Sequence, residues 1–107
     1  MKLITLSAGH DDFSPKLQEF ALAVFEVLDF DPEFDIDIVY EDIDAQGYCS
    51  GDEDGCLIEI NPDLTERETA IAIAHELVHA RQLANGLDFC EEEAYNLESI
   101  LTERCYH

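Results

Sequence analysis

Basic side chains are scarce in this chain. Five lysine and arginine residues stand against 26 aspartate and glutamate residues, which gives a formal net charge of -21 at pH 7. Nucleic acids and anionic membranes bind clustered cations, so we expect neither of them as a partner. The excess of acid indicates a solvated acidic surface, because net charge bears on solubility and association rather than on fold. An acidic decoy that competes with nucleic acid for a basic protein is the sharper alternative.

Long apolar runs are absent as well. No stretch of the sequence approaches the length of a transmembrane span, and the apolar start is too short for a secretion signal. We therefore expect a cytoplasmic protein whose four cysteines are reduced thiols. Cys49 and Cys56 are spaced more widely than in a common zinc knuckle, so a second structural metal site is not favoured. The length of 107 residues allows one domain, spanning 1–107.

Hydrophobic spacing predicts an α+β domain with a small mixed or antiparallel sheet. Ser14, which precedes a proline, is typical of a helix start. Thr65 with Glu68 has the spacing of a capping box, and Asp88 repeats that spacing before the last helix. In chain order, the predicted elements are a strand at 3–6, a helix at 15–29, a strand at 35–43, a loop at 47–55, a strand at 56–60, a buried helix that ends at 85–86 and a helix at 89–105.

The buried helix carries the motif His75-Glu76-Leu77-Val78-His79. Residues four apart lie one turn above each other on a helix, so His75 and His79 can bind one ion through their imidazoles. Zinc held by two such nitrogens needs a third protein ligand and keeps a fourth position for water. Glu76 is rotated by about 100° from His75 around the helix axis, which places it beside the ion as a general base. Burying these three polar side chains without a metal would be costly.

Three consecutive glutamates, Glu91, Glu92 and Glu93, begin the last predicted helix. The helix dipole favours acid in a first turn, so a solvated helix start is the plain explanation of this run. Projection around the helix gives Glu91 and Glu92 polar neighbours, whereas Glu93 shares the apolar face that must pack on the core. That face comprises Cys90, Leu97, Ile100 and Leu101. A carboxylate there needs a partner, so Glu93 is the predicted third ligand and Glu92 the second choice.

The motif at 75–79, followed after a short loop by a helical Glu93-Ala94, resembles the gluzincin zinc metallopeptidases and, by length, the minimal ones. Small phage- and prokaryote-associated peptidases of the ImmA/IrrE-like group have a similar layout, and the similarity covers residues 35–105. The resemblance implies a zincin-like domain with an N-terminal helix, a small sheet, a motif helix and a glutamate helix. It also implies that Cys56–Ile60 is the edge strand on which a substrate peptide lies antiparallel.

The same resemblance implies the chemistry of the site. Zn²⁺ is the expected cofactor, with His75, His79 and Glu93 as its ligands and Glu76 as the general base. The expected substrate is a peptide or protein, and the acidic field favours basic or neutral segments. A metal-binding but non-proteolytic regulatory or phage accessory module is the first alternative. The second alternative is an acidic decoy in which the motif is incidental. Metal content distinguishes the decoy from the peptidase and from the metal-binding module, because only the decoy would contain no metal.

The chain departs from this family's pattern at two points. Members often carry Asp or another polar residue four positions after the ligand glutamate, to orient a motif histidine, whereas this chain has Leu97 there. Asn96, beside it, is the candidate substitute for this role. No single residue is assigned to stabilise the transition-state oxyanion. The candidates for that role are Tyr48, Tyr95, Tyr106 and His107, while His10 is expected in a loop and Cys49 or Cys105 can offer the ion a thiolate.

Overall fold

The computed structural model describes residues 5–6, 13–30 and 33–106. Leu3, Ile4, His10 and His107, which entered the predictions above, lie outside these ranges. The elements in chain order are β1 (Thr5–Leu6), α1 (Pro15–Leu28), β2 (Asp35–Tyr40), β3 (Gly47–Gly51), β4 (Gly55–Ile60), α2 (Glu66–Ala84) and α3 (Glu91–Cys105). The predicted α+β class is confirmed, and the four strands pair into one sheet.

The sheet is mixed, with the strand order β1-β2-β4-β3. Strands β1 and β4 run parallel to β2, and β3 pairs antiparallel with β4. The prediction of Cys56–Ile60 as the edge strand is therefore wrong, because β4 is paired on both sides and β3 lies at the edge. The predicted loop at 47–55 is also wrong in its first half, since Gly47–Gly51 pairs with β4. Glycine and serine disfavour strands, but pairing with a neighbouring strand overrides that local preference.

One face of the sheet packs against α2, which makes most of the contacts between helices and strands. The buried side chains of this face are Ile36, Ile38, Cys49, Cys56, Ile58 and Ile60. Helices α1 and α3 also pack on α2, so the prediction of a buried central helix is confirmed. Within the described part of the chain, no helix combines the length and apolarity that crossing a membrane requires.

The starts of α1 and α2 follow the predicted caps. The Ser14 hydroxyl accepts the backbone N–H of Leu17, and a proline occupies the first turn of α1. Thr65 and Glu68 form a complete capping box at the start of α2, with bonds of 3.2 and 3.0 Å between side chain and backbone. These ends are encoded locally, which explains why sequence patterns find them.

The start of α3 differs from the prediction. The helix begins at Glu91 with Cys90 as its N-cap, and the predicted cap Asp88 lies outside it. Cys90 makes no side-chain capping bond. The side chain of Gln82, on α2, instead binds both the N–H and the carbonyl of Cys90. A contact between helices therefore sets this boundary, and no local signal could have shown it.

Candidate metal centre

Two histidines of α2 and one glutamate of α3 converge at a single point. His75 and His79 lie one helical turn apart and are buried. Nε2 of His75 is 3.4 Å from Oε1 of Glu91, and Nε2 of His79 contacts the same oxygen. The three potential ligand atoms lie within 4.8 Å of one another, which is close enough to hold a metal ion. We call His75, His79 and Glu91 the ligand cluster.

The third member of this cluster is Glu91 and not the predicted Glu93. Oε1 of Glu93 accepts a hydrogen bond of 3.0 Å from Gln82 and lies 3.9 Å from the guanidinium of Arg81. Glu92, the second choice, is exposed and lines a separate pocket with Arg81. The structure therefore gives the predicted carboxylate a different set of partners, and it brings the first glutamate of the run to the histidines.

The face of α3 that points toward α2 explains this difference. Tyr95, Glu98 and Thr102 share a stripe with Glu91, and because that stripe is polar the sequence predicts that it faces water. In the structure Thr102 is buried and the Glu98 side chain is only 18% exposed. Ile100, which was assigned to the apolar face of Glu93, is 56% exposed. Glu91 and Tyr95 of this stripe remain 61% and 59% exposed, so the stripe is covered only in part, and Glu91 and Glu98 reach the two histidines from it.

The second ring nitrogen of each histidine also has a partner. Nδ1 of His75 is 3.3 Å from Oε2 of Glu98, and Nδ1 of His79 is 2.9 Å from Oε1 of Gln82. Metal-binding histidines commonly donate this second N–H to a carboxylate or carbonyl, which leaves the other nitrogen free for the metal. Glu98 and Gln82 thus occupy the orienting positions for which Asn96 was the candidate from the sequence.

Glu76 lies beside the ligand cluster in a nearly closed environment. It is 7% exposed, and burial raises the pKa of its carboxyl, while the nearby His75 and His79 oppose that shift. The edge strand β3 approaches it at Gly47, where a Cβ atom would lie only 3.0 Å from Cγ of Glu76. The absence of a side chain at position 47 leaves room for this carboxylate between α2 and β3.

A cavity of about 470 Å³ joins these groups. Its walls come from β3, α2, α3 and the segment before α3, and it contains the ligand cluster, Glu76 and Glu98. Two of the oxyanion candidates, Tyr48 and Tyr95, line it, and the Tyr95 ring lies 4.8 Å from that of His75. Tyr106 lies elsewhere, where its hydroxyl donates to Glu66. The cavity can therefore admit a ligand next to two imidazoles and three carboxylates.

Comparisons of the chain with protein-family models, with curated proteins and with solved structures found no match. The resemblance to minimal gluzincins thus depends on the motif residues of this chain.

The cysteines provide an independent test of how the site is built. All four are free thiols; Cys49 is buried and lines the cavity, whereas Cys90 is exposed. Hydrogen bonding to Cys56 and burial raise the pKa of the Cys49 thiol, so less of it is thiolate at a given pH. At mildly alkaline pH, iodoacetamide should alkylate Cys90 much faster than Cys49 in the folded protein and both alike in denaturant. Peptide mass spectrometry measures both rates, and equal rates in the folded protein would contradict this placement.

Proposed function

We propose that the chain is a zinc-dependent peptidase of the minimal gluzincin type with a zincin-like fold. In this proposal His75, His79 and Glu91 hold the zinc ion and Glu76 is the general base. The convergence of two imidazole Nε2 atoms and the Glu91 carboxylate, next to the buried carboxylate of Glu76, is the observation that carries the proposal. Its donor set is the one found in catalytic zinc sites with two histidines and a glutamate.

The residues of the ligand cluster fit zinc chemically. Two neutral imidazoles and one carboxylate provide three ligands and leave further coordination positions open. Zinc held there would polarise a peptide carbonyl and lower the pKa of a water molecule. Neither Nδ1 atom is needed as a ligand, because Glu98 and Gln82 already face them. The fit thus extends to the partners that orient the ligands.

Glu76 performs the proton transfers in this proposal. Its carboxylate takes a proton from the attacking water and delivers it to the nitrogen of the leaving amine. No covalent bond to the protein forms. Burial between α2 and Gly47 shields the carboxylate from bulk water, which keeps the transferred proton near the reacting groups.

The edge strand provides a place for an extended substrate. Strand β3 pairs with β4 on one side, and its residues Gly47, Tyr48 and Cys49 line the cavity. A peptide that added to the free side of β3 would form backbone hydrogen bonds and run past the ligand cluster. This role was expected of Cys56–Ile60 and belongs to β3 in the proposal, since β4 has no free side.

Peptide cleavage by the zinc-loaded protein tests the proposal. We expect a pool of synthetic peptides to be cleaved, cleavage to stop when a chelator removes the metal, and activity to return with added zinc. The variant His79→Ala, purified identically, controls for contaminating proteases and should be inactive. If zinc binds tightly but every peptide stays intact, a non-proteolytic metal-binding module replaces this proposal. If no metal binds, the acidic decoy remains.

The substrate preference should depend on salt. Because the chain carries a net charge of -21, we expect kcat/KM at low ionic strength to be at least about 10-fold higher for basic than for acidic peptides. The difference should shrink as the Debye length falls from about 30 Å at 0.01 M salt to about 8 Å at 0.15 M. Matched peptides with lysine or glutamate on either side of the cleaved bond measure it. Equal or faster turnover of the acidic peptides at low salt would contradict electrostatic selection.

A further inference from the structure

Gln82 uses a single amide to make four polar contacts. Its side chain is buried at 2% exposure, three residues after His79 on α2. Oε1 lies 2.9 Å from Nδ1 of His79 and accepts the backbone N–H of Cys90 at 3.0 Å. Nε2 donates to the carbonyl of Cys90 at 3.1 Å and to Oε1 of Glu93 at 3.0 Å. Both acceptor positions and both N–H groups of the amide are therefore occupied.

The backbone of Cys90 determines which way this amide points. A backbone N–H can only donate and a backbone carbonyl can only accept, so the atom facing the Cys90 N–H must be the amide oxygen. His79 Nδ1 faces that same oxygen and must therefore carry the proton. In the neutral imidazole, which is the form that binds a metal, Nε2 of His79 then carries the lone pair on the side that faces Glu91. The tautomer follows from a backbone contact and not from the imidazole itself.

The same amide holds the beginning of α3. Cys90 is the N-cap of that helix and has no side-chain capping bond, so Gln82 provides its two specific backbone contacts from α2. Glu91 is the next residue, and its position over His79 depends on where the helix starts. One side chain thus controls both a histidine ligand and the carboxylate ligand opposite it.

We propose that Gln82 is the positioning residue of the metal centre, which orients the His79 imidazole for binding through Nε2 and places Glu91 against it. The inference rests on the metal centre in the proposed function, but it does not require that the protein cleave peptides. Orienting partners of this kind typically change metal affinity by about 10- to 100-fold when they are lost.

Zinc affinity of Gln82→Met is the first test. Methionine has similar length and suits a helix interior, but it makes none of the four contacts. We expect the zinc Kd, measured by competition with a chromophoric chelator, to rise by about 10- to 100-fold. The matched control is Gln18→Met on α1, which removes one bond to the Phe13 carbonyl away from the cavity and should leave the Kd unchanged.

The His79 Nδ1–H proton provides a readout that general destabilisation would not mimic. In the zinc-loaded wild-type protein we expect a slowly exchanging Nδ1–H resonance in long-range ¹H–¹⁵N spectra. This resonance should be lost or exchange rapidly in Gln82→Met while the protein remains folded.

The double variant Gln82→Glu/Glu93→Gln provides a second test, which also serves if Gln82→Met does not fold. There one carboxylate oxygen accepts from His79 Nδ1 and from the Cys90 N–H, and the amide at position 93 donates to the other oxygen, but the side chain at position 82 no longer donates to the Cys90 carbonyl.

The double variant should keep the His79 resonance protected, because the acceptor for Nδ1–H is retained. We expect its zinc Kd to rise by less than about 10-fold, since only the bond from position 82 to the Cys90 carbonyl is lost. The inference is overturned if Gln82→Met binds zinc as tightly as wild type, or if the folded double variant leaves the His79 resonance unprotected. These outcomes concern zinc binding alone. If no peptide is cleaved, the proposed peptidase activity is contradicted but the role of Gln82 is not. If His79→Ala binds zinc as tightly as wild type, the metal centre itself is contradicted.

Discussion

Replacing Glu76 by glutamine should lower the rate of peptide hydrolysis by about 10²–10⁴-fold and leave zinc bound. The amide has nearly the same shape as the carboxylate, so it fits the space beside Gly47, but it cannot accept a proton. Glu76 is not one of the three residues whose ligand atoms converge, which is why metal affinity should hardly change. Turnover and zinc Kd must be measured on the same preparation.

The matched control for this variant is Glu103→Gln, which makes the same chemical change at an exposed position of α3. It should keep wild-type turnover and wild-type zinc affinity. Hydrolysis by Glu76→Gln at the wild-type rate would exclude Glu76 as the general base. A parallel loss of zinc in Glu76→Gln would show that this carboxylate serves the metal instead of the proton transfer.

Replacing Glu91 by glutamine should weaken zinc binding by more than about 100-fold. This exceeds the loss of metal affinity that is typical when a residue that only orients a ligand is replaced. The substitution exchanges an anionic ligand for a neutral amide, which zinc rarely accepts. Glu93→Gln is the ideal comparison, because that residue lies two positions further on the same helix and faces Gln82 and Arg81. We expect it to keep zinc affinity within a few-fold of wild type. Titration with zinc against a competing chelator ranks the two variants.

The reverse ranking would contradict the ligand cluster. If Glu93→Gln lost zinc while Glu91→Gln retained it, the helix-face interpretation of the sequence would be right and the orientation of α3 would be wrong. Equal losses would indicate that the start of α3 moves when the metal binds. Comparing the zinc Kd values of the two variants therefore shows whether Glu91 or Glu93 is the carboxylate ligand.

Local signals predicted much of this fold. The capping box of Thr65 and Glu68 and the apolar stretch after it located α2, and the motif within it placed both histidines on one face. Ser14 located the start of α1 in the same way. These features depend on residues within a few positions of one another, so the sequence carries them directly.

Features that depend on contacts between elements could not be predicted. A polar stripe has the same pattern whether water or a polar site lies next to it, so the sequence did not reveal that Glu91 and Glu98 contact the histidines of α2. Strand β3 was missed because its pairing with β4, and not its composition, makes it a strand. The start of α3 was missed because Gln82, a residue of α2, binds the backbone there.

Elemental analysis of protein purified without chelators tests the central claim most directly. If His75, His79 and Glu91 form a metal centre, wild-type protein should contain about one zinc ion per chain, and the double variant His75→Ala/His79→Ala should contain almost none. Wild-type protein that lacks every transition metal, and that binds no zinc in a subsequent titration, would contradict the account.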